Sequence, residues 1–118
     1  MAITLLIVDD DARFRRLARQ LLEGEGFTVV GEAVDGVGAL SEVEVLHPQV
    51  VLLDLQLPDV SGLEVARRLT SGRGRRPAVV LTSTRDGATF GSLMSESGAR
   101  GFVDKTELCG AALRRLVG

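Results

Sequence analysis

The stretch VVLLDLQLP, residues 50–58, decides how this chain folds. Val50, Val51, Leu52 and Leu53 form an unbroken apolar run, the pattern of a strand buried on both faces. The run stops at one carboxylate, Asp54, and Pro58 then blocks further pairing. A charge at the mouth of a buried strand is costly unless its neighbours compensate it. The flanking sequence supplies them, because other apolar runs also end in polar residues.

On the N-terminal side, Ile3–Val8 reads as strand 1 and ends in Asp9, Asp10 and Asp11. Phe14, Leu17, Ala18, Leu21 and Leu22 then recur at helical spacing as an inner face, with Arg13, Arg16, Arg19, Gln20 and Glu23 opposite. Asp11 is placed to cap this first helix, and Gly24 or Gly26 to end it. Phe27–Val30 is strand 2, ending near Glu32 and Ala33 without a comparable acidic cluster. Gly36–Leu46 is a poorer helix, since Val43, Glu44 and Val45 alternate as a strand would. Pro48 closes it and leads into strand 3.

On the C-terminal side, Ser61 and Glu64 make the S-x-x-E pattern of a capping box, and Leu63, Ala66 and Leu69 give helix 3 an inner face. Pro77 introduces strand 4, Ala78–Leu81, which ends in Thr82 and Ser83. Asp86 can cap a fourth helix that Gly98 ends; Gly91, Ser92, Ser95 and Ser97 weaken it. Gly101–Val103 is strand 5, followed by Asp104 and Lys105. Thr106 can cap helix 5, with Leu108, Cys109, Ala112, Leu113 and Leu116 inward. Strands alternating with amphipathic helices predict an α/β unit with parallel strands and right-handed crossovers, one domain over residues 1–118.

Composition agrees. The 118 residues suit a single domain, and 45% hydrophobic with 25% charged residues is an ordinary globular balance. A net charge of −2 gives no bulk attraction to nucleic acid or anionic membrane. The single cysteine, Cys109, permits no internal disulfide and fits a reducing, cytoplasmic setting. No basic leader precedes the first strand, and no apolar run approaches the ~20 residues of a bilayer span. Thirteen of the fourteen basic residues are Arg; Lys105 alone offers a compact ammonium on a flexible stem.

In open α/β sheets, ligands sit beyond the carboxyl ends of the strands. There this chain places Asp9 and Asp10, Asp54, Thr82 and Lys105. If strands 1 and 3 are neighbours, three carboxylates converge, and two unit charges ~4 Å apart repel by ~4 kcal/mol at an effective dielectric of ~20. Such a group calls for a cation. Oxygen ligands without nearby His or Cys favour Mg²⁺, with Mn²⁺ as the alternative. Carboxylate, hydroxyl, ammonium and hard metal together suit phosphoryl transfer, with Asp54 as nucleophile.

The segments LLIVDDD (5–11), VVLLDLQLPDVSGLE (50–64), VVLTS (79–83) and GARGFVDK (98–105) together resemble the receiver domains of two-component response regulators, over essentially the whole chain. The resemblance implies a flavodoxin-like, doubly wound five-stranded sheet in order 2-1-3-4-5 with five helices. It implies that Asp54 accepts a phosphoryl group from a sensor histidine kinase or phosphotransfer protein. It assigns metal ligation to Asp9, Asp10, Asp54 and the Gln56 carbonyl, phosphoryl contacts to Thr82 and Lys105, and a switch to Thr82 and Phe102. It further implies a responsive face made by helix 4, strand 5 and helix 5, usable for homodimerisation. That face would control an output, transcription above all, through a further domain, with no direct nucleic-acid or membrane binding by this one. Thr106 departs from the family's usual proline after the lysine, and Phe102 replaces a frequent tyrosine.

Plainer accounts exist for each residue. The triple Asp can serve as N-terminal helix acids, although one cap explains one Asp and not three. Asp54 alone suits a turn, Thr82 a strand end, Lys105 a surface and Phe102 a core; it is their joint pattern that argues for a site. Gly36-x-Gly38 lacks the third glycine of a dinucleotide fingerprint, since Ser41 stands there. The arginines at 67, 68, 73, 75 and 76 read as a solvated loop at the far end of the sheet, His47 as a structural helix end, and Cys109 as core. Two rival functions are a docking pseudo-receiver that is never phosphorylated and a haloacid-dehalogenase-type phosphatase. The latter expects a second Asp where Gln56 stands.

Overall fold

The structure, a computed structural model, describes residues 2–72, 74, 76–83 and 96–117. Strands β1 (Thr4–Val8), β2 (Thr28–Ala33), β3 (Val50–Asp54), β4 (Ala78–Ser83) and β5 (Gly101–Asp104) form one parallel sheet in the order β2-β1-β3-β4-β5. Four helices are described: α1 (Ala12–Gly24), α2 (Gly36–Leu46), α3 (Gly62–Ser71) and α4 (Gly110–Val117). The expected flavodoxin-like order is present. The helix expected between Asp86 and Ser97 lies almost wholly outside the described residues.

The apolar strand runs split between two cores. Leu6, Val8, Val51, Leu53, Val79 and Leu81 point to one face and are covered by Ala39 of α2 and Val65, Ala66 and Leu69 of α3. Leu5, Ile7, Val50, Leu52, Val80 and Val103 point to the other and are covered by Ala18 and Leu22 of α1 and Leu113 of α4. The period-two alternation of strand side chains sends successive residues of each run to opposite layers, so a run without polar interruption needs helices on both sides.

Several boundaries differ from expectation. β2 continues past Val30 through Gly31, Glu32 and Ala33, residues of poor strand propensity that are carried by pairing to Leu6, Ile7 and Val8. In α1, Ala18 and Leu22 are buried and Phe14 half-buried, but Leu17 is 65% exposed and Leu21 39%. Phe14, Ala18 and Leu22 repeat every four residues and take the sheet-facing stripe, leaving Leu17 and Leu21 on the ridge beside it. In α3, Val65 is fully buried, a position the sequence reading did not include.

The capping box at Ser61 is only half made. Ser61 Oγ accepts from Leu63 N–H at 3.2 Å, but the Glu64 carboxylate turns to Arg67 and Arg68. Nor does Thr106 cap the last helix. Its N–H and hydroxyl both donate to Asp104 Oδ1, at 2.9 and 2.7 Å, closing a 3-10 turn over Lys105–Glu107. With that hydroxyl committed, α4 starts later, at Gly110, whose N–H donates to Glu25 Oε2 from the end of α1 at 2.7 Å. Cys109 precedes the helix and is half-buried rather than core.

Candidate functional site

The site lies where β1 and β3 adjoin and their chains leave for opposite faces of the sheet. Asp9 follows the last residue of β1, Asp54 is the last of β3, and Thr82 is the β4 partner of Asp54. Lys105 follows β5 directly. Oxygens of Asp9, Asp10 and Asp54 all lie within 4.8 Å of one another. Asp9 is fully buried, Asp54 is 5% exposed and Asp10 faces solvent.

Local turns aim these groups. Asp11 N–H donates to Asp9 Oδ1 at 2.9 Å, and Arg13 N–H donates to Asp11 Oδ1, so Asp11 caps α1 as expected. Gln56 N–H donates to Asp54 Oδ1 at 3.0 Å. Gly62 lets the β3–α3 loop fold back on the end of β3. A Cβ at Gly62 would stand 2.2 Å from the Asp54 carbonyl oxygen, closer than real Cβ contacts allow.

Lys105 reaches in from β5. Its Nζ is 2.7 Å from Asp9 Oδ2 and 3.3 Å from Asp54 Oδ2. Burial works against this ammonium, but the two carboxylates outweigh it and hold its pKa above the ordinary lysine value. At Asp54, burial dominates and Asp9 adds repulsion, so the carboxyl is pushed up despite the Gln56 N–H and Lys105. The buried Thr82 Oγ1 has no hydrogen-bond partner among the described residues. A buried hydroxyl left in that state is costly, and it stands ready for an acceptor that the described residues do not provide. Phe102, beside Leu81 in the β4–β5 register, is half-buried against the first core.

The donor set fits a hard divalent cation. Three carboxylates against one ammonium leave an excess of negative charge, and all the oxygens are of the kind that Mg²⁺ or Mn²⁺ takes.

Four features go beyond the sequence reading. Arg15 donates from Nε to Glu32 Oε1 at 2.9 Å and from Nη1 to the Asp9 carbonyl at 2.7 Å, while Arg19 Nε meets Glu32 Oε2 at 2.8 Å. The i,i+4 spacing of Arg15 and Arg19 is a usable local signal, but nothing local to them marks Glu32 as their partner. Asp59 accepts from Gly36 N–H at 2.8 Å and Val37 N–H at 3.0 Å, tying the loop after Asp54 to the start of α2. Those amides hold its carboxyl below the usual range. Asp35 takes Gly38 N–H, so this glycine pair offers its amides to carboxylates, in keeping with rejection of a dinucleotide fingerprint. Glu25, the cap of α4, had no local signal.

A doubly wound sheet with an acidic cluster and a lysine at the carboxyl ends of its strands defines a class, and sequence comparison gives the family. Residues 5–114 match the response regulator receiver domain. The chain is 42% identical over 103 residues to DNA-binding response regulator MtrA of Mycobacterium tuberculosis, covering 86% of this chain and 43% of that one. It is 39% identical over 109 residues to protein-glutamate methylesterase/protein-glutamine glutaminase 2 of Koribacter versatilis, covering 89% and 29%. The BeF3-activated N-terminal receiver domain of Klebsiella pneumoniae RstA superposes with a TM-score of 0.83 at 28% identity, covering 96% of this chain and 94% of that one. The chain belongs to the receiver domain family of two-component response regulators. It spans less than half the length of the curated relatives just named.

Proposed function

We propose that residues 1–118 act as a phosphoacceptor switch in which Asp54 takes a phosphoryl group from the phosphohistidine of a sensor kinase or phosphotransfer protein. An Asp54 carboxylate oxygen forms a bond to phosphorus as the phosphorus–nitrogen bond of the donor breaks, and the histidine leaves and takes up a proton. Asp9, Asp10, Asp54 and the Gln56 carbonyl would hold Mg²⁺, or Mn²⁺, which when bound neutralises charge on the transferring group. Lys105 balances negative charge from the β5 side, and the Thr82 hydroxyl donates to a phosphoryl oxygen. The observation that carries this reading is the meeting of three acids and one ammonium, with a buried hydroxyl that lacks a partner among the described residues on Thr82, the β4 partner of Asp54.

The phosphoryl group carries roughly −1.5 to −2 units of charge, and because it takes the place of the carboxylate's own charge the net gain is about half a unit to one unit of negative charge. Thr82 then moves toward the new oxygens, and Phe102 turns into the space it leaves. The face around β5 and α4, with the helix expected at 86–97, changes shape and offers a dimer contact. The output is transcription, through a separate domain such as the name of the DNA-binding relative describes. The domain itself acts on no external substrate and works in the cytoplasm.

The test is incubation with acetyl phosphate and excess Mg²⁺. The intact protein should gain the mass of one phosphoryl group, lost in Asp54→Ala, and should hydrolyse no external phosphate ester. A folded protein that gains no mass would return the reading to a docking module.

A further inference from the structure

The Lys105 ammonium has a third neighbour that the phosphoacceptor reading does not use. Its Nζ stands 4.6 Å from the centroid of the Phe14 ring. Phe14 lies in the first turn of α1, half-buried at the edge of the second core, and the Lys105 side chain is only 14% exposed. The lysine therefore runs between an aromatic face on one side and the Asp9 and Asp54 carboxylates on the other. An ammonium over a ring face is held by the ring's quadrupole, and more strongly when water is kept away.

We propose that Phe14 is a positioning residue for the phosphoryl-binding lysine. This rests on Asp54 being the phosphoacceptor. The two carboxylates that hold Lys105 in this structure are groups that a metal and a phosphoryl group would engage. The ring, by contrast, is unchanged by either event. It keeps the ammonium at the mouth of the site whichever anion lies opposite. A lysine stem has much rotamer freedom to lose on being ordered, so a contact that orders it beforehand raises affinity for the incoming tetrahedral anion. Phe14 touches no reacting atom; it acts through Lys105. Read from the sequence, it was simply one more residue of the helix inner face.

The test compares Phe14→Leu and Phe14→Met, which keep an apolar side chain, with Phe14→Tyr, which keeps the ring face. Beryllofluoride affinity in excess Mg²⁺ should fall about three- to tenfold in the Leu and Met variants and stay within about twofold in the Tyr variant. Lys105 is the only lysine in the chain, so selective lysine labelling reports its ε-methylene NMR signals alone. In metal-free protein they should show an upfield ring-current shift in wild type and Phe14→Tyr that is lost in the Leu and Met variants. Thermal melting of each variant separates packing from positioning. Wild-type affinity in the Leu and Met variants overturns the proposal, as does equal weakening in all three variants or an unshifted lysine in wild type. A wild-type protein that binds no beryllofluoride overturns the phosphoacceptor reading, and this role with it.

Discussion

At Asp54, burial and the Asp9 carboxylate act against ionisation, while the Gln56 N–H and Lys105 act for it. The balance raises the carboxyl's pKa above its ordinary value, so in metal-free protein near neutral pH the charge on Asp54 costs folding free energy. Asp54→Asn should therefore raise the urea midpoint in EDTA, while abolishing any mass gain from acetyl phosphate. Glu32 has the opposite sign. Burial opposes its charge, but Arg19 and Arg15 outweigh burial and hold its carboxyl below the ordinary 4.5. A depressed folded-state pKa contributes stability that is complete above the unfolded value and lost as pH falls through the folded one. The stability gap between wild type and Glu32→Gln should be full at about pH 7 and close as pH falls below 4.5 through the folded-state pKa. Urea titrations across that range check it; a gap constant with pH would remove the ion pair as its cause.

Elements place these residues through close backbone approach. α3 begins against the end of β3, and Gly62 N–H donates to the Leu55 carbonyl at 3.0 Å. Gly62→Ala would drive a methyl into the Asp54 carbonyl and Leu55 Cα, the latter at 2.7 Å. It should cost about 1–3 kcal/mol or more and weaken beryllofluoride binding, because the displaced backbone carries Asp54. The two faces of α1 differ just as sharply. Leu22 is fully buried and Leu17 is 65% exposed. Leu22→Ala should cost about 2–5 kcal/mol and Leu17→Ala less than about 0.5 kcal/mol, measured by denaturant midpoint. Periodicity alone places both on the same inner face. It locates an apolar stripe but not its edges, which depend on where the neighbouring helix and strand end.

For the molecule as a whole, a divalent ion held by Asp9, Asp10 and Asp54 would link metal binding to stability. An ion that binds only the folded state stabilises it by mass action, by about 2.7 kcal/mol at about a hundredfold excess over Kd. Magnesium should raise the melting temperature of wild type, and Asp10→Asn should remove most of that rise. Because Asp10 is exposed, the same variant should melt close to wild type in EDTA. A magnesium response unchanged in Asp10→Asn would place the ion elsewhere.

Both layers of the core and every strand were legible in the chain, because unbroken apolar runs and amphipathic spacing are local patterns that burial reads directly. So were Asp9, Asp10, Asp54, Thr82 and Lys105 as strand-end residues, although their roles came from resemblance to a family. The parts decided in three dimensions depend on partners distant in sequence. Glu25 caps a helix that starts 85 residues later, Asp59 takes amides 22 and 23 residues before it, and Lys105 finds the ring of Phe14. A carboxylate or an aromatic ring carries no local mark of the donor it will meet. Only the packing of α1, α2 and α4 on the sheet brings those groups within a few ångströms, where Coulomb and hydrogen-bond energies become large enough to matter.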